Sequence, residues 1–436
     1  MKMNKQTSRR DFLKTSTVIG VAALGVANAR NVHAAGSDVI KIGLVGCGGR
    51  GCGAVQDAFQ AVPNVKLVAM ADLFEDRVKT PRNVLKESHP DRVDVPDDRC
   101  FSGLDGYKGV IENSDAVLVA CASRFHPKYT LAAVEAKKHL FVEKPHAMDA
   151  AGIKIVQQAT ELAKSNGTAL VSGLCYRYDT LRREAFQRIA DGEIGEITAV
   201  QSDYIRTPYS LVDRKPEWSE IEFQFRNWYH FTWLAADEIL QSLLHNIDSV
   251  MTAFGDETPV GAYGVGGRST MFIETMGDQF DHSAMILNFA DGKRIYGMTR
   301  TATQCFNSNQ DVLHGTKGRC FFHSTGKPYF TDLKGNKTWS AGERERSMYV
   351  QEHYELFTSV QNGKPINDGD RMARTTMAGI LGFMACRNGQ EVLWDDVVNA
   401  GAVFGPAEAD ISLTMEPPLK PAANSLYPLC IPGTST

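Results

Sequence analysis

Two positions in the sequence carry side chains that together can handle the proton of an alcohol. Lys144 follows a run of apolar residues, and His245 belongs to a polar stripe that includes Asp237 and Gln241. A lysine and a histidine that reach one hydroxyl group can orient it and take its proton. Taken alone, Lys144 can equally be a solvated residue where a strand ends, and its position does not decide between the two interpretations.

The stripe belongs to one helical pattern. At about 100° per residue, Asp237, Gln241, His245 and Asp248 share less than a quarter turn, and leucines and isoleucines fill the opposite side. The pattern predicts an amphipathic helix whose polar face is either a wet surface or one wall of an active site. The preceding segment 225–233 favours a wall, because it holds five aromatic residues, an arginine and a histidine in nine positions.

Aromatic faces next to hydrogen-bonding side chains suit a sugar ring, whose C–H patches stack while its hydroxyl groups need donors and acceptors. A core segment with satisfied polar atoms remains the alternative. The candidate substrate-binding residues are Tyr178, Arg226, Tyr229, Trp233 and Gln241.

A glycine-rich turn predicts where a cofactor lies. A strand pattern over 39–45 runs into Gly46-Cys-Gly48-Gly-Arg-Gly51, and a helix pattern over 54–61 follows. In this fingerprint the first glycine permits a tight turn, the second lets the backbone approach a pyrophosphate, and the third lets helix and strand pack closely. The phosphates then lie at the helix N-terminus. The predicted cofactor-binding residues are Gly46, Gly48, Gly49, Arg50, Gly51, Asp72, Glu143 and Lys144.

Asp72 ends a second strand pattern, 65–71, and lies 21 residues after Gly51. A carboxylate at this point accepts hydrogen bonds from a ribose 2′-hydroxyl and repels a 2′-phosphate. The sequence therefore favours NAD over NADP, although Arg50 and Arg77 keep NADP open.

Strand and helix patterns alternate through the first half of the chain, which predicts an α/β fold with a parallel doubly wound sheet. The further strands are expected at 115–120, 139–142 and 168–173, and the further helices at 127–138 and 151–166. We predict a Rossmann domain over 36–175, a second domain over 176–405 and an extended arm over 406–436.

Residues 1–35 have the features of an export signal. Arg9 and Arg10 precede Phe-Leu, and a short apolar run over 15–29 ends in Ala-Asn-Ala. A membrane anchor is the alternative, but the run is shorter than the roughly 20 residues that a span needs. The paired arginines indicate the twin-arginine route to the periplasm, which carries folded proteins and therefore suits a protein loaded with its cofactor.

Charge and composition exclude some classes of partner. Residues 1–35 hold six of the 47 basic residues and one of the 51 acidic residues, so the remainder has a net charge near −9. No basic run occurs, which argues against a nucleic-acid partner. The nine cysteines show no C-x-x-C spacing and no cluster with histidine, so we expect no metal site.

The loop 46–51, Asp72, the Glu-Lys-Pro motif 143–145 and the helix carrying His245 together resemble the Gfo/Idh/MocA family of oxidoreductases (glucose-fructose oxidoreductase, inositol dehydrogenase, MocA). The resemblance implies a C-terminal α+β domain with an open, mostly antiparallel sheet. It also implies a carbohydrate or cyclitol substrate and a homo-oligomer.

The same resemblance implies that Lys144 and His245 are catalytic. The family usually has an aspartate where this chain has Gln241, and a glutamine cannot take a proton. Asp237, one turn earlier, thus becomes a candidate catalytic residue. The segment 122–127 also departs from the Thr-Pro of many relatives, and we expect His126 there to be a loop residue at the surface.

These observations favour an exported NAD-dependent oxidoreductase that acts on a hydroxyl of a sugar, glycoside or cyclitol. Little free NAD exists outside the cytoplasm, so a bound cofactor must be regenerated in place. A redox-neutral, NAD-assisted glycosidase, lyase or epimerase is therefore an alternative, although the family's glycosidases tend to lack the lysine present here as Lys144. A non-catalytic sugar-binding protein is the second alternative, to which Gln241 gives mild support.

Overall fold

A computed structural model describes residues 39–401 and 403–434. The predicted export signal lies outside the described residues. In the described part, no helix is both long enough and apolar enough to span a bilayer.

The first half of the described chain forms a six-stranded parallel sheet with strand order β3-β2-β1-β4-β5-β6. Alternating strands and helices build it, as the sequence pattern predicts. Its elements are β1 (Ile40–Val45), α1 (Gly49–Ala61), β2 (Val65–Asp72), α2 (Asp76–Ser88), β3 (Cys100–Ser102), α3 (Gly106–Asn113), β4 (Ala116–Val119), α4 (His126–Glu135), β5 (His139–Val142), α5 (Ala150–Asn166) and β6 (Leu170–Ser172).

A second sheet of nine strands follows, with order β14-β13-β12-β11-β7-β10-β9-β8-β15. Its strands are antiparallel except for the β7/β10 pair. The fold is therefore α/β, with a Rossmann-type sheet and a second, mostly antiparallel sheet, which confirms the predicted fold class. The strands are β7 (Ile197–Arg206), β8 (Gly261–Gly267), β9 (His282–Asn288), β10 (Arg294–Thr301), β11 (Ser308–Gly315), β12 (Gly318–His323), β13 (Tyr329–Asp332), β14 (Lys337–Ser340) and β15 (Val392–Leu393).

Helices of the second half join the two sheets. They are α6 (Thr180–Ala190), α7 (Glu220–Arg226), α8 (Thr232–Ala235), α9 (Leu244–Ala253), α10 (Met348–Gln361), α11 (Gly369–Asn388) and α12 (Trp394–Ala400). The late helix α10 packs against α1 and inserts Leu356 and Phe357 into the core around β1. Helix α11 contacts both α5 and the strands β8 and β9. The Rossmann sheet is thus completed by a segment that lies far along the chain.

The predicted helix over 237–248 is not one continuous α-helix. Ala236 has a positive φ of 57°, the segment Ile239–Leu243 is a π-helical turn, and α9 begins only at Leu244. A π turn bonds each N–H five residues back instead of four, so it shifts the angular position of the residues on either side. Asp237, Gln241 and His245 consequently do not share one face as the sequence pattern predicts.

Residues 403–434 run along the surface of both halves, with one short 3₁₀ turn at Glu408–Asp410. The guanidinium of Arg124 donates to the backbone carbonyls of Phe404 and Pro406. Farther along, Tyr427 donates to Glu220 of α7. The arm therefore connects a loop of the Rossmann sheet to the aromatic segment of the second half.

Candidate active site

A cavity of about 440 Å³ opens where the first sheet reverses its strand order, at the carboxyl ends of β1 and β4. Such switch points are where doubly wound sheets bind ligands. Loops of the first sheet form one side and the aromatic segment of the second half forms the other. The lining includes Gly46, Gly48, Gly49, Arg50, Asp72, Arg77, Ala122, Phe125, Tyr209, Arg226, Trp228 and Tyr229.

The glycine loop has the shape that a pyrophosphate requires. Gly46 has a φ of 93°, and a Cβ there would lie 2.5 Å from the carbonyl carbon of Ala120. A Cβ on Gly51 would lie 1.9 Å from the Gly46 carbonyl oxygen. By contrast, nothing lies within 4 Å of a Cβ built on Gly48 or Gly49. The loop thus packs tightly against the sheet and leaves open space before the N-terminus of α1, so it fits a dinucleotide phosphate.

Asp72 ends β2 and lines the same cavity. Its two carboxylate oxygens accept hydrogen bonds from the backbone N–H groups of Cys47 and Leu73, each at 2.7 Å. Burial raises the pKa of Asp72, while these two bonds lower it. Each oxygen has further lone pairs, so the carboxylate can also accept a ribose hydroxyl. Arg77 lines the cavity as well, and the geometry therefore suits a dinucleotide without fixing NAD or NADP.

Arg50 ties the glycine loop to the Glu-Lys-Pro motif. Its Nε donates to Glu143 at 2.5 Å and one terminal nitrogen donates to Asp57 at 3.2 Å. A second terminal nitrogen lies 3.8 Å from the fully buried Glu352 of α10. The guanidinium therefore holds the phosphate loop, the end of β5 and α10 in one arrangement.

Lys144 and His245 lie close to each other where the two halves meet. The Lys144 ammonium donates to the backbone carbonyl of Gln241 in the π turn. His245 is half-buried in the first turn of α9, with Nδ1 3.9 Å from the Cys175 sulfur. Burial, and next the charge of Lys144, lower the pKa of His245 well below its ordinary value. The imidazole is therefore neutral at neutral pH and can hydrogen-bond a hydroxyl group.

The other polar residues of the predicted stripe have different surroundings. Gln241 donates its side-chain amide to the carbonyls of Tyr229 and Ala235, at 2.9 and 3.4 Å. Asp248 is fully buried and accepts the Arg177 guanidinium at 2.8 Å. These two side chains hold the backbone and α9 in place.

Asp237 is not brought to Lys144. One of its oxygens accepts the Ile239 N–H at 2.9 Å, and the other is buried with no partner in the described chain. Burial raises its pKa to about 7, and Arg387 at the end of α11 is the cation that acts on it. The next residue, Glu238, has the side chain that lies near Lys144.

An aromatic ladder borders the cavity close to Lys144. The Trp228 and Tyr229 rings stack with centroids 3.8 Å apart, and Tyr229 stacks on Tyr209 at 4.4 Å. Arg206, the last residue of β7, lies 3.5 Å above the Tyr209 ring. Stacked aromatic faces with hydroxyl and guanidinium groups at their edges match the chemistry of a sugar ring.

Comparison with known proteins agrees with this site. Residues 40–173 match the family model GFO_IDH_MocA, described as an oxidoreductase family with an NAD-binding Rossmann fold. The matched segment contains the glycine loop, Asp72 and the Glu-Lys-Pro motif. Over this segment the chain is similar to the Gfo/Idh/MocA family.

Two relatives of known sequence are named for different reactions, one for glycoside hydrolysis and one for alcohol dehydrogenation. The chain is 27% identical over 236 residues to a glycosyl hydrolase family 109 protein of Solibacter usitatus, over 50% of this chain and 51% of that protein. It is 23% identical over 364 residues to the myo-inositol 2-dehydrogenase of Thermotoga maritima, over 81% of this chain and 97% of that enzyme. The chain thus spans about half the length, or less, of the family 109 relatives that it matches.

A solved structure has the same fold over most of the chain. The aldose-aldose oxidoreductase of Caulobacter crescentus superposes with a TM-score of 0.64 over 81% of this chain and 99% of its own, at 20% identity. At that identity the likeness shows the fold alone.

The candidate site includes only some of the predicted substrate-binding residues. Tyr229 and Arg226 line the cavity, but Arg226 lies at the Asp72 side, 3.8 Å from the Phe74 ring and paired with Asp76 at 3.2 Å. Trp233 is buried and donates to Gln224 at 2.8 Å.

Tyr178 is buried in the core on the α10 side and donates to Asp368. Gln241 contributes its backbone carbonyl to Lys144, as described above. The positions of Trp233, Tyr178 and Gln241 show them as parts of the framework around the cavity.

His126 is buried, so the prediction of a surface residue is wrong. Its Nδ1 lies 2.7 Å from the Pro145 carbonyl oxygen, and its Nε2 lies 3.0 Å from that of Cys121. The ring therefore joins the loop after β4 to the loop that carries Lys144. The sequence offered a signal for this, because His126 directly precedes a proline at the start of α4 and lies beside a cavity-lining loop.

Sequence reasoning missed Arg206, Tyr209 and Glu238. Arg206 ends β7 and Tyr209 follows it, and the apolar residues of β7 after Gly195 were a usable signal for a strand whose end meets the site. No sequence signal pointed to Glu238, because only the π turn decides whether the side chain of residue 237 or of residue 238 lies near Lys144.

Proposed function

We propose that the chain is an exported NAD-dependent oxidoreductase that acts on a secondary hydroxyl of a neutral sugar, glycoside or cyclitol. The observation that carries the proposal is a chain of contacts around Gln241. Lys144, whose charge acts on His245, donates to the Gln241 carbonyl, and the Gln241 amide donates to the carbonyl of Tyr229. The ring of Tyr229 lines the dinucleotide cavity and stacks with Tyr209 and Trp228.

Bound NAD would accept the hydride from the carbinol carbon. The residues of the chain would align the hydroxyl and take its proton. His245 is neutral and offers a ring nitrogen to the hydroxyl, and the Lys144 ammonium offers positive charge to the oxygen as it becomes an alkoxide. The stacked Tyr229 and Tyr209 rings support one face of the sugar and exclude water from it.

The test is an assay of the purified protein with NAD and a panel of aldoses, glycosides, alditols and cyclitols, in which the absorbance of reduced nicotinamide is followed. We expect one structural class of polyol to be oxidised. A parallel panel of sugar phosphates and sugar acids should give no signal, and oxidation across both panels without preference would contradict the proposal.

A redox-neutral, NAD-assisted glycosidase is the second candidate. The similarity to glycosyl hydrolase family 109 proteins favours it. This reaction releases an aglycone and leaves NAD oxidised at the end of each turnover. Glycoside cleavage in solvent D₂O, with deuterium retained on a sugar carbon of the product, would select this candidate over the dehydrogenase.

The export part of the proposal rests on Arg9 and Arg10 in the sequence. Replacing both by lysine in the full chain should retain the protein in the cytoplasm of a host with a twin-arginine system. The unchanged chain should appear in the periplasm with NAD bound. Equal distribution of the two chains between the fractions would contradict the export route.

A further inference from the structure

Glu238 is a carboxylate that the proposed reaction does not use, and Ser242 connects it to the wall of the site. The residue is 5% exposed, and its Oε2 accepts a hydrogen bond from the Ser242 hydroxyl at 2.5 Å. The Ser242 hydroxyl also lies 3.4 Å from the Tyr209 hydroxyl, whose ring lines the cavity. Oε1 of Glu238 has no hydrogen bond to any described residue. One oxygen of the carboxylate is thus fixed and the other is left for a ligand.

Two cations of the site act on this carboxylate. Burial raises the pKa of Glu238, whereas the charges of Arg206 and Lys144 lower it. The titratable groups that face it from the neighbouring elements are Lys144 after β5, Arg206 at the end of β7, Tyr204, Tyr209, Tyr229 and Asp237. Burial favours the neutral carboxyl, while the two cations favour the charged carboxylate, which forms stronger hydrogen bonds than a neutral acceptor.

The neighbouring residues leave this role to Glu238. The amide of Gln241 is used by two backbone carbonyls, and the free oxygen of Asp237 is sealed in the interior on the Arg387 side. The π turn at Ile239–Leu243 accounts for the different surroundings of these three side chains. In this turn the side-chain amide of Gln241 donates to backbone carbonyls, while its own backbone carbonyl accepts from Lys144. Glu238 is thereby the carboxylate of this segment on which the charge of Lys144 acts.

We propose that Glu238 accepts a hydrogen bond from a second hydroxyl of the substrate, adjacent to the one that is oxidised, and so decides which hydroxyl reaches Lys144 and His245. This role rests on the proposed oxidoreductase function. It narrows the substrate class to neutral compounds with neighbouring hydroxyl groups, because a fixed carboxylate repels a sugar acid or a sugar phosphate.

The experiment compares the wild type with Glu238→Gln and with the matched control Asp237→Asn. Binding of the neutral sugar found in the panel is measured by calorimetry on NAD-loaded protein, and oxidation is measured separately. Glu238→Gln should weaken sugar binding about 10- to 100-fold, as expected for loss of a hydrogen bond to a charged group. Affinity for NAD should stay unchanged. Asp237→Asn should leave sugar affinity within about twofold, because the free oxygen of Asp237 is buried on the Arg387 side.

Monodeoxy analogues of that sugar then identify the contact. The one analogue that lacks the bound hydroxyl should bind the wild type and Glu238→Gln equally, while every other analogue keeps the difference between the two proteins. If Glu238→Gln is unstable, Ser242→Ala provides the same comparison, since it releases the carboxylate from its fixed position. It should show a smaller loss of affinity that disappears with the same analogue.

The outcomes separate this role from the proposed function. Sugar binding that depends on Glu238 without any oxidation supports the hydrogen bond from Glu238 to the sugar and contradicts the oxidoreductase. Oxidation with unchanged sugar affinity in Glu238→Gln overturns the role alone. A loss of the same size with every analogue shows a structural effect and also overturns it.

Discussion

The ammonium of Lys144 donates a hydrogen bond to the backbone carbonyl of Gln241. Lys144 follows the last strand but one of the Rossmann sheet, and Gln241 is in the π turn that precedes α9. A π turn leaves carbonyl groups available that a regular α-helix would bond internally. The contact therefore holds Lys144 at the junction of the two halves. Its acceptor, Gln241, lies four residues before His245 along the chain.

Lys144→Ala should remove oxidation and leave the cofactor bound. The substitution takes away the positive charge beside the developing alkoxide, and we expect a loss of about 10²- to 10⁴-fold in kcat. The Kd of NAD should change little, because the glycine loop and Asp72 remain. Lys86→Ala, at an exposed position of α2, is the matched control. A rate within twofold of the wild type would remove Lys144 from the catalytic site.

Asp72→Asn should change the choice between cofactors. The amide oxygen can still accept from one backbone N–H, but the charge that repels a 2′-phosphate is lost. We expect the Kd of NAD to rise about 10-fold and NADP to bind more tightly than it does to the wild type. Both constants follow from calorimetry. If the ratio of the Kd values for NAD and NADP is the same in the variant and in the wild type, Asp72 does not face the ribose.

His353→Leu should make the protein less sensitive to acid. His353 is fully buried against Phe141 and Phe357, and burial lowers its pKa to about 3. The unfolded chain therefore binds a proton as the pH falls through about 6.5, and the folded chain does not. His353 therefore lowers the free energy of unfolding by up to about 1.4 kcal/mol for each pH unit that the pH falls between pH 6.5 and 4.

Urea unfolding at pH 7 and pH 4.5 tests this expectation. The difference between the two values should be smaller in His353→Leu than in the wild type, and unchanged in the half-buried control His89→Leu. The adjacent Glu352 acts with the opposite sign, because burial raises its carboxyl pKa well above the ordinary value. Comparison of variant with wild type isolates the histidine. An identical acid response in both proteins would contradict the assignment.

Arg124→Ala should release the C-terminal arm from the cavity wall. The buried guanidinium bonds the Phe404 and Pro406 carbonyls and lies 3.5 Å from Asp149. Its loss leaves these acceptors without their donor and should cost about 2–4 kcal/mol of unfolding free energy. Because Phe125, one residue on, lines the cavity, NAD should also dissociate faster.

The control for the arm is Lys128→Ala, which breaks a half-exposed ion pair with Glu408 at 3.0 Å. An exposed pair contributes under about 1 kcal/mol, so this variant should resemble the wild type. Equal effects of the two substitutions on proteolysis near residue 403 and on NAD release would contradict the role assigned to Arg124.

The sequence predicted the parts of the fold that depend on local patterns. The glycine loop, Asp72 and the strands around them follow from residue types and short-range periodicity. Asp291-Gly292 between β9 and β10 is a local turn signal of the same kind, and Gly292 has the positive φ that such a turn requires.

The choice between Asp237 and Glu238 could not be predicted. It depends on a π turn that packing against the sheet stabilises, and a constant angle per residue does not represent it. The same limit applies to Trp233 and Tyr178, because the sequence pattern around an aromatic residue is the same whether it lines a pocket or packs in a core. The return of α10 to the Rossmann sheet depends on contacts between residues about 300 positions apart, such as Gln361 with Asn64.

The most direct test of the central claim is the absorbance spectrum of the purified protein, recorded before and after sugars are added without external cofactor. The account predicts a bound nicotinamide that becomes reduced with one class of neutral sugar and returns to the oxidised form when a carbonyl acceptor is supplied. A protein that carries no nucleotide and binds none when it is added would contradict the account. Bound nicotinamide that never becomes reduced while a glycoside is cleaved would replace the dehydrogenase with the redox-neutral glycosidase.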